Sequence, residues 1–78
     1  MEVREAYFQQ FCQELEKDQS FQDLKEDTGL VGLAAVREFA RKSPHDFWSN
    51  RVEPFIAQKV PRYLWRGVRI RFEGKIRR

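Results

Sequence analysis

The segment Arg62–Arg78, RYLWRGVRIRFEGKIRR, decides how this chain is read. Val68, Ile70 and Phe72 alternate with Arg69, Arg71 and Glu73, the period-two pattern of a strand with one apolar and one charged face. On this reading Tyr63, Leu64 and Trp65 start the strand, Gly67 supplies a bulge or bend, and Gly74 ends it. A single strand cannot satisfy its own backbone donors and acceptors. The chain offers no second strand of equal quality, and a hairpin between 63–66 and 68–72 would leave Gly67 as the whole turn. The strand therefore pairs with another chain, or the segment is an extended basic arm.

The same segment carries most of a charge imbalance. Residues 1–28 hold eight acidic side chains against three basic ones, a net of −5. Residues 29–78 hold four acids against twelve bases, a net of +8, and seven units of that excess lie in 59–78. A chain polarised this way presents a positive surface to an anionic partner.

Upstream of the tail the periodicity is helical. Val3, Tyr7, Phe8, Phe11, Cys12 and Leu15 recur at three- and four-residue steps, which predicts a helix over 3–17. Ser20 followed by Asp23 resembles a capping box and predicts a short turn near 20–26 carrying Phe21 and Leu24. A largely apolar helix over 29–42 follows, with Asp27 or Thr28 as its cap, Gly29 easing its start, and Arg41 and Lys42 suiting its C-terminal end. Ser43-Pro44-His45-Asp46 opens a further helix over 44–60. Pro54 should kink or divide it, and Pro61 should end it.

The expected fold class is mainly α: a small bundle of three to four helices in one domain of 78 residues, with a C-terminal strand or extended basic arm over 62–78. The alternative is α+β, with that strand paired in a dimer or to a partner sheet. The expected core is Phe8, Phe11, Leu15, Leu24, Leu33, Val36, Phe39, Trp48, Val52, Phe55 and Ile56, with Phe72 also placed inside. A chain this short is marginally stable, and Cys12, its one cysteine, permits no internal disulfide. That points to a reducing, intracellular compartment, cytoplasmic or nuclear. The start MEVREAYFQQ lacks the apolar region of a secretory signal. The longest uncharged run, Thr28–Val36, has nine residues, whereas a membrane helix needs about 20.

Constellations for catalysis are weak. His45 is the single histidine and sits at a helix start; Cys12 lies on an apolar stripe and reads as a core thiol. Gly29 and Gly32 lack the Lys-Ser/Thr of a phosphate loop. No catalytic residue, metal ligand or cofactor is assigned, and the chain is read as non-enzymatic. The working surface is Arg62, Tyr63, Trp65, Arg66, Arg69, Arg71, Lys75, Arg77 and Arg78. The first reading is a protein–protein interaction or assembly module, binding another chain or itself through residues 63–73 by strand addition. The alternative is nucleic acid, RNA before DNA, because arginine pairs with phosphate and exposed aromatics stack on bases. Anionic membrane surfaces come third. One competing use of the arginines is internal: they can pair with the acidic first helix. The closing RGVRIRFEGKIRR resembles basic strands of ribosomal proteins, over thirteen residues only.

Overall fold

Helix α1 (Val3–Leu15) forms where Phe8, Phe11 and Leu15 fall on one face. Glu2 caps it, its side chain accepting from the Glu5 N–H at 3.0 Å. The structure is a computed structural model and describes residues 2–77. Where the sequence suggests only a turn, α2 (Gln19–Thr28) is a full helix. Its cap is Asp18 rather than Ser20, accepting from the Phe21 N–H at 3.2 Å, and this puts Phe21 and Leu24 on the buried side. Gly29 then closes α2 in the left-handed conformation, φ 74°, with its N–H returning to the Lys25 carbonyl at 2.8 Å. It is a C-terminal cap and not part of the next helix. Accordingly α3 (Gly32–Lys42) starts later than expected and has no side-chain cap; Thr28 Oγ1 donates instead to the Leu24 carbonyl.

Next come α4 (Pro44–Phe47), a π-helical turn (Trp48–Val52) and α5 (Glu53–Lys59), with helical backbone angles at each junction. Pro54 does interrupt this rod, by widening it rather than breaking it. Proline lacks an N–H and its ring crowds the carbonyl four residues back, here Asn50. A wider turn just before it relieves the crowding, and the Glu53 N–H reaches back five residues to the Trp48 carbonyl. Val60 and Pro61 leave the helical region and end the rod as predicted.

A 3-10 turn (Arg62–Leu64) leads into α6 (Trp65–Ile76), and here the sequence reading is corrected. No strand exists among the described residues, and the segment is neither a strand nor an extended arm. Val68 and Phe72 do share a buried face, both 0% exposed, but their companion is Ile76 at 4% and not Ile70, which is 58% exposed. That four-residue spacing is helical. The physical reason is the backbone. A helix closes its hydrogen bonds within the segment, so the partner strand that this chain lacks is not needed. With the strand goes the expected strand addition through residues 63–73, and with it the α+β alternative.

Helices α1 and α6 pack side by side, running the same way: Arg4 lies at Gly67 and Phe8 at Phe72. A methyl group at position 67 would sit 3.1 Å from Arg4 Cδ, so glycine admits this close approach. Phe72 meets Phe8 edge-on at 5.2 Å and touches Phe11 at 5.2 Å and Phe55 at 6.2 Å between ring centres. Of the expected core, Phe8, Phe11, Leu15, Leu24, Val36, Val52, Phe55 and Ile56 are buried together with Phe72. Leu33, Phe39 and Trp48 only flank the cluster. Phe21, Phe47, Val60, Val68 and Ile76 fill places that the sequence reading left open.

The two faces of α6 yield a direct test. Phe72→Ala should cost about 3–5 kcal/mol, whereas the uncharged change Ile70→Gln should alter stability by no more than about 0.5 kcal/mol. Urea unfolding midpoints measure both. A large loss at Ile70 would return this segment to a strand with Val68, Ile70 and Phe72 on one apolar face.

Candidate functional site

Helix α6 carries Trp65, Arg66, Arg69, Arg71 and Lys75; Arg62 and Tyr63 lie on the 3-10 turn before it, and Arg77 caps its end. Arg78 lies outside the described residues. A helix distributes these side chains around its circumference instead of along one edge. Arg71 and Lys75 face α1 and α3, with the exposed Ile70 at the edge of that flank; Trp65 and Arg69 face α5, with the exposed Arg66 at the edge of that one.

The α1 flank is neutralised from within the chain. Phe8 packing on Phe72 lays the acidic start of α1 over the basic middle of α6. Glu5 accepts from Arg71 at 3.1 Å, Lys75 at 2.9 Å and Gln9 at 2.8 Å, and Glu2 lies 3.3 Å from Arg71. Hydrogen bonds from Lys75 and Gln9 hold the Glu5 carboxyl below its ordinary range. Arg4, bonded to Glu2 at 2.6 Å, is the first cause that brings the Glu2 carboxyl down to about 2. Arg37 of α3 donates through Nε to the Lys75 carbonyl at 2.8 Å, satisfying the last turn of α6. Arg71 and Lys75 thus hold helices together. Reversing the charge of Arg71 would add a third carboxylate beside Glu2 and Glu5, so that substitution reports on folding before it reports on any partner.

The α5 flank and the outward side stay available. Arg66 makes no ion pair among the described residues. Arg69 meets Glu53 at 2.5 Å, but both side chains are half exposed, and such pairs contribute little. Arg77 rests 4.5 Å above the Trp48 ring. Trp65 is held from two sides: its indole N–H donates to the Val60 carbonyl at 2.8 Å, and Arg62 lies 5.6 Å from its ring. About a third of it (36%) is still exposed, and Tyr63 beside it is 84% exposed. Ile56, Ala57 and Trp65 floor an open groove of about 520 Å³ between α5 and α6, edged by Glu53, Arg66 and Arg69.

Charge polarity survives the internal pairing. Around α6 the cations Arg4, Arg37, Arg62, Arg66, Arg69, Arg71, Lys75 and Arg77 outnumber the carboxylates Glu2, Glu5, Glu53 and Glu73 by eight to four. At the α1–α2 end Glu14, Glu16, Asp18, Asp23, Glu26, Asp27 and Asp46 outnumber Lys17, Lys25, Arg51 and Lys59 by seven to four.

Other chemistry is sparse. Cys12 is part-buried, and burial first, then Glu5, pushes its thiol up to about 11, so it is not a thiolate nucleophile near neutral pH. Ser49 Oγ lies 3.5 Å from His45 Nδ1 at an exposed site, the outer limit of a hydrogen bond. Among the described residues no His, Cys, Asp and Glu cluster suits a metal ion, and no helix is long and apolar enough to cross a membrane. Sequence reasoning missed Arg4, Arg37 and Glu53 as neighbours of the basic segment. The four-residue spacing of Val68, Phe72 and Ile76 was the signal that would have placed them. Comparison of the chain with protein-family models, curated proteins and solved structures returns no match.

The network around Glu5 sets an acid limit on stability. Glu2 and Glu5 have lowered carboxyl values in the fold, so their stabilisation is complete above the unfolded value of 4.5 and fades as pH falls toward about 2. Melting temperature should therefore drop across that window, and Glu5→Gln should flatten part of the drop. Thermal unfolding followed by circular dichroism checks it; identical pH curves for the two proteins would remove Glu5 from the network.

Proposed function

We propose that this chain is a non-enzymatic protein-interaction module whose groove between α5 and α6 takes an acidic, apolar-anchored segment of another protein. The observation that carries the reading is Trp65: a part-exposed indole, fixed by the Val60 carbonyl and by Arg62, flooring an apolar groove with a basic rim. Tryptophan, tyrosine and arginine dominate binding hot spots because a rigid aromatic face loses little entropy on contact. Trp65, Arg66 and Arg69 bring two of these residue types to the groove, and Tyr63 stands exposed on the turn that precedes α6. Charge sets the class of partner. The rim carries Arg66 and Arg69 against Glu53, with Arg62 close by over Trp65, so an acidic segment is drawn in and a basic one repelled. Binding here needs no strand edge.

A nucleic acid is the second reading, favoured by the eight-to-four excess of cations around α6. Two features count against it. Arg71 and Lys75 are engaged with Glu5, and one face of Trp65 is covered by Arg62 rather than open to a base.

A labelled peptide of alternating glutamate and leucine blocks and a labelled single-stranded RNA, each titrated by fluorescence anisotropy, separate the two readings. The peptide should bind, and Trp65→Ala should weaken it about tenfold or more. Arg66→Glu, at an exposed side chain with no ion pair among the described residues, should weaken it while leaving the fold intact. Peptide binding that ignores both substitutions would reject the groove. RNA binding that is tighter and falls steeply with salt would replace the proposal with the nucleic-acid reading.

A further inference from the structure

On the opposite flank of α6, α1, α3 and α6 enclose a second groove of about 690 Å³ whose lining includes Arg4, Arg37, Arg71 and Lys75. Glu5 is the one carboxylate in that lining. Four cations from three helices meet two carboxylates, Glu5 and the neighbouring Glu2 that pairs with Arg4 and Arg71, which leaves two positive charges in excess. Lys75, Arg71 and Gln9 already satisfy Glu5. Arg37 is pinned through Nε to the Lys75 carbonyl, and Arg4 through Nε to Glu2, so each is held by one edge while its terminal guanidinium nitrogens make no hydrogen bond among the described residues. Cations gathered this way repel one another, and the arrangement is relieved by a compact anion.

We propose that this groove binds a phosphate monoester group, with Arg4 and Arg37 as its free donors and the Glu5 carboxylate as an internal competitor for Arg71 and Lys75. A tetrahedral dianion suits donors that approach from three helices, and arginine forks pair with phosphate oxygens two at a time. Lys75 adds a point charge, its Nζ lying 5.3 Å from the centre of the Phe8 ring. The groove is separate from the Trp65 groove and does not depend on the function proposed for it. Its phosphate can belong to a soluble ester or to a lipid headgroup; both present the same dianion.

Amide chemical shifts of the ¹⁵N-labelled chain, followed during titration with inorganic phosphate and with inositol phosphate, test the site. Sodium chloride at matched ionic strength is the control. Saturable shifts around Arg37, Arg71 and Lys75 are expected. Glu5→Gln should tighten binding about tenfold, because a like charge leaves the site. Arg37→Gln should weaken it, and Arg4→Gln at a half-exposed side chain keeps the test readable if Arg37→Gln fails to fold. Vesicles with and without a phosphoinositide then assign the source: co-sedimentation with the phosphoinositide vesicles alone identifies a headgroup, and its absence alongside binding of inositol phosphate identifies a soluble ester. Shifts that sodium chloride reproduces, that never saturate in either wild type or Glu5→Gln, or that survive both arginine substitutions would overturn the proposal.

Discussion

The contact between α1 and α6 holds the rest of the molecule in place. Phe72 stands against Phe8, Phe11 and Phe55, so one side chain joins the N-terminal helix, the C-terminal helix and the rod that lies between them in sequence. Glycine at position 67 leaves room for the Arg4 side chain to lie against α6 beside this contact. Once the rings meet, Glu5 can do no other than lie over Arg71 and Lys75, and the electrostatics of the surface follow from the packing of the core. In a chain of 78 residues with no internal disulfide, such a contact between its two ends replaces a covalent tie.

That contact divides the basic segment into two kinds of cation. Arg71 and Lys75 are committed to Glu5, at the flank where burial makes pairing worthwhile. Arg62, Arg66 and Arg69 lie where solvent screens their charges and where Trp65 and Tyr63 offer apolar area. A count of arginines along the sequence treats these groups alike, although the first meets a partner only in competition with Glu5 and the second stands largely in solvent. The same division explains why the molecule keeps an acidic end and a basic side although its opposite charges do meet.

The widened turn before Pro54 does comparable work for the middle of the chain. It spares the rod a break, so Phe47, Val52, Phe55 and Ile56 all remain in the core, and it sets Trp48 at the surface beneath Arg77. Proline removes one backbone donor, and the turn accommodates that loss with a five-residue hydrogen bond. Where the chain leaves α5, the Val60 carbonyl accepts from the Trp65 indole and ties the end of the rod to the start of α6.

What the sequence by itself determined is local. Helical periodicity marked α1, α3 and the rod from Pro44, the prolines marked where that rod is disturbed and where it stops, and composition marked the charge polarity. Most of the core was legible because buried Phe, Leu, Val and Ile recur at helical steps. The state of the C-terminal segment was not legible, since Val68, Ile70 and Phe72 fit a strand as well as Val68, Phe72 and Ile76 fit a helix. Only tertiary structure decided between them. The choice rests on which apolar set finds a surface to bury against, and α1, α3 and α5 offer one to Val68, Phe72 and Ile76 while Ile70 meets solvent. It also decided which charges cancel. Arg71 and Lys75 reach Glu5 across 66 and 70 residues of sequence, and no local pattern encodes a pairing over that distance.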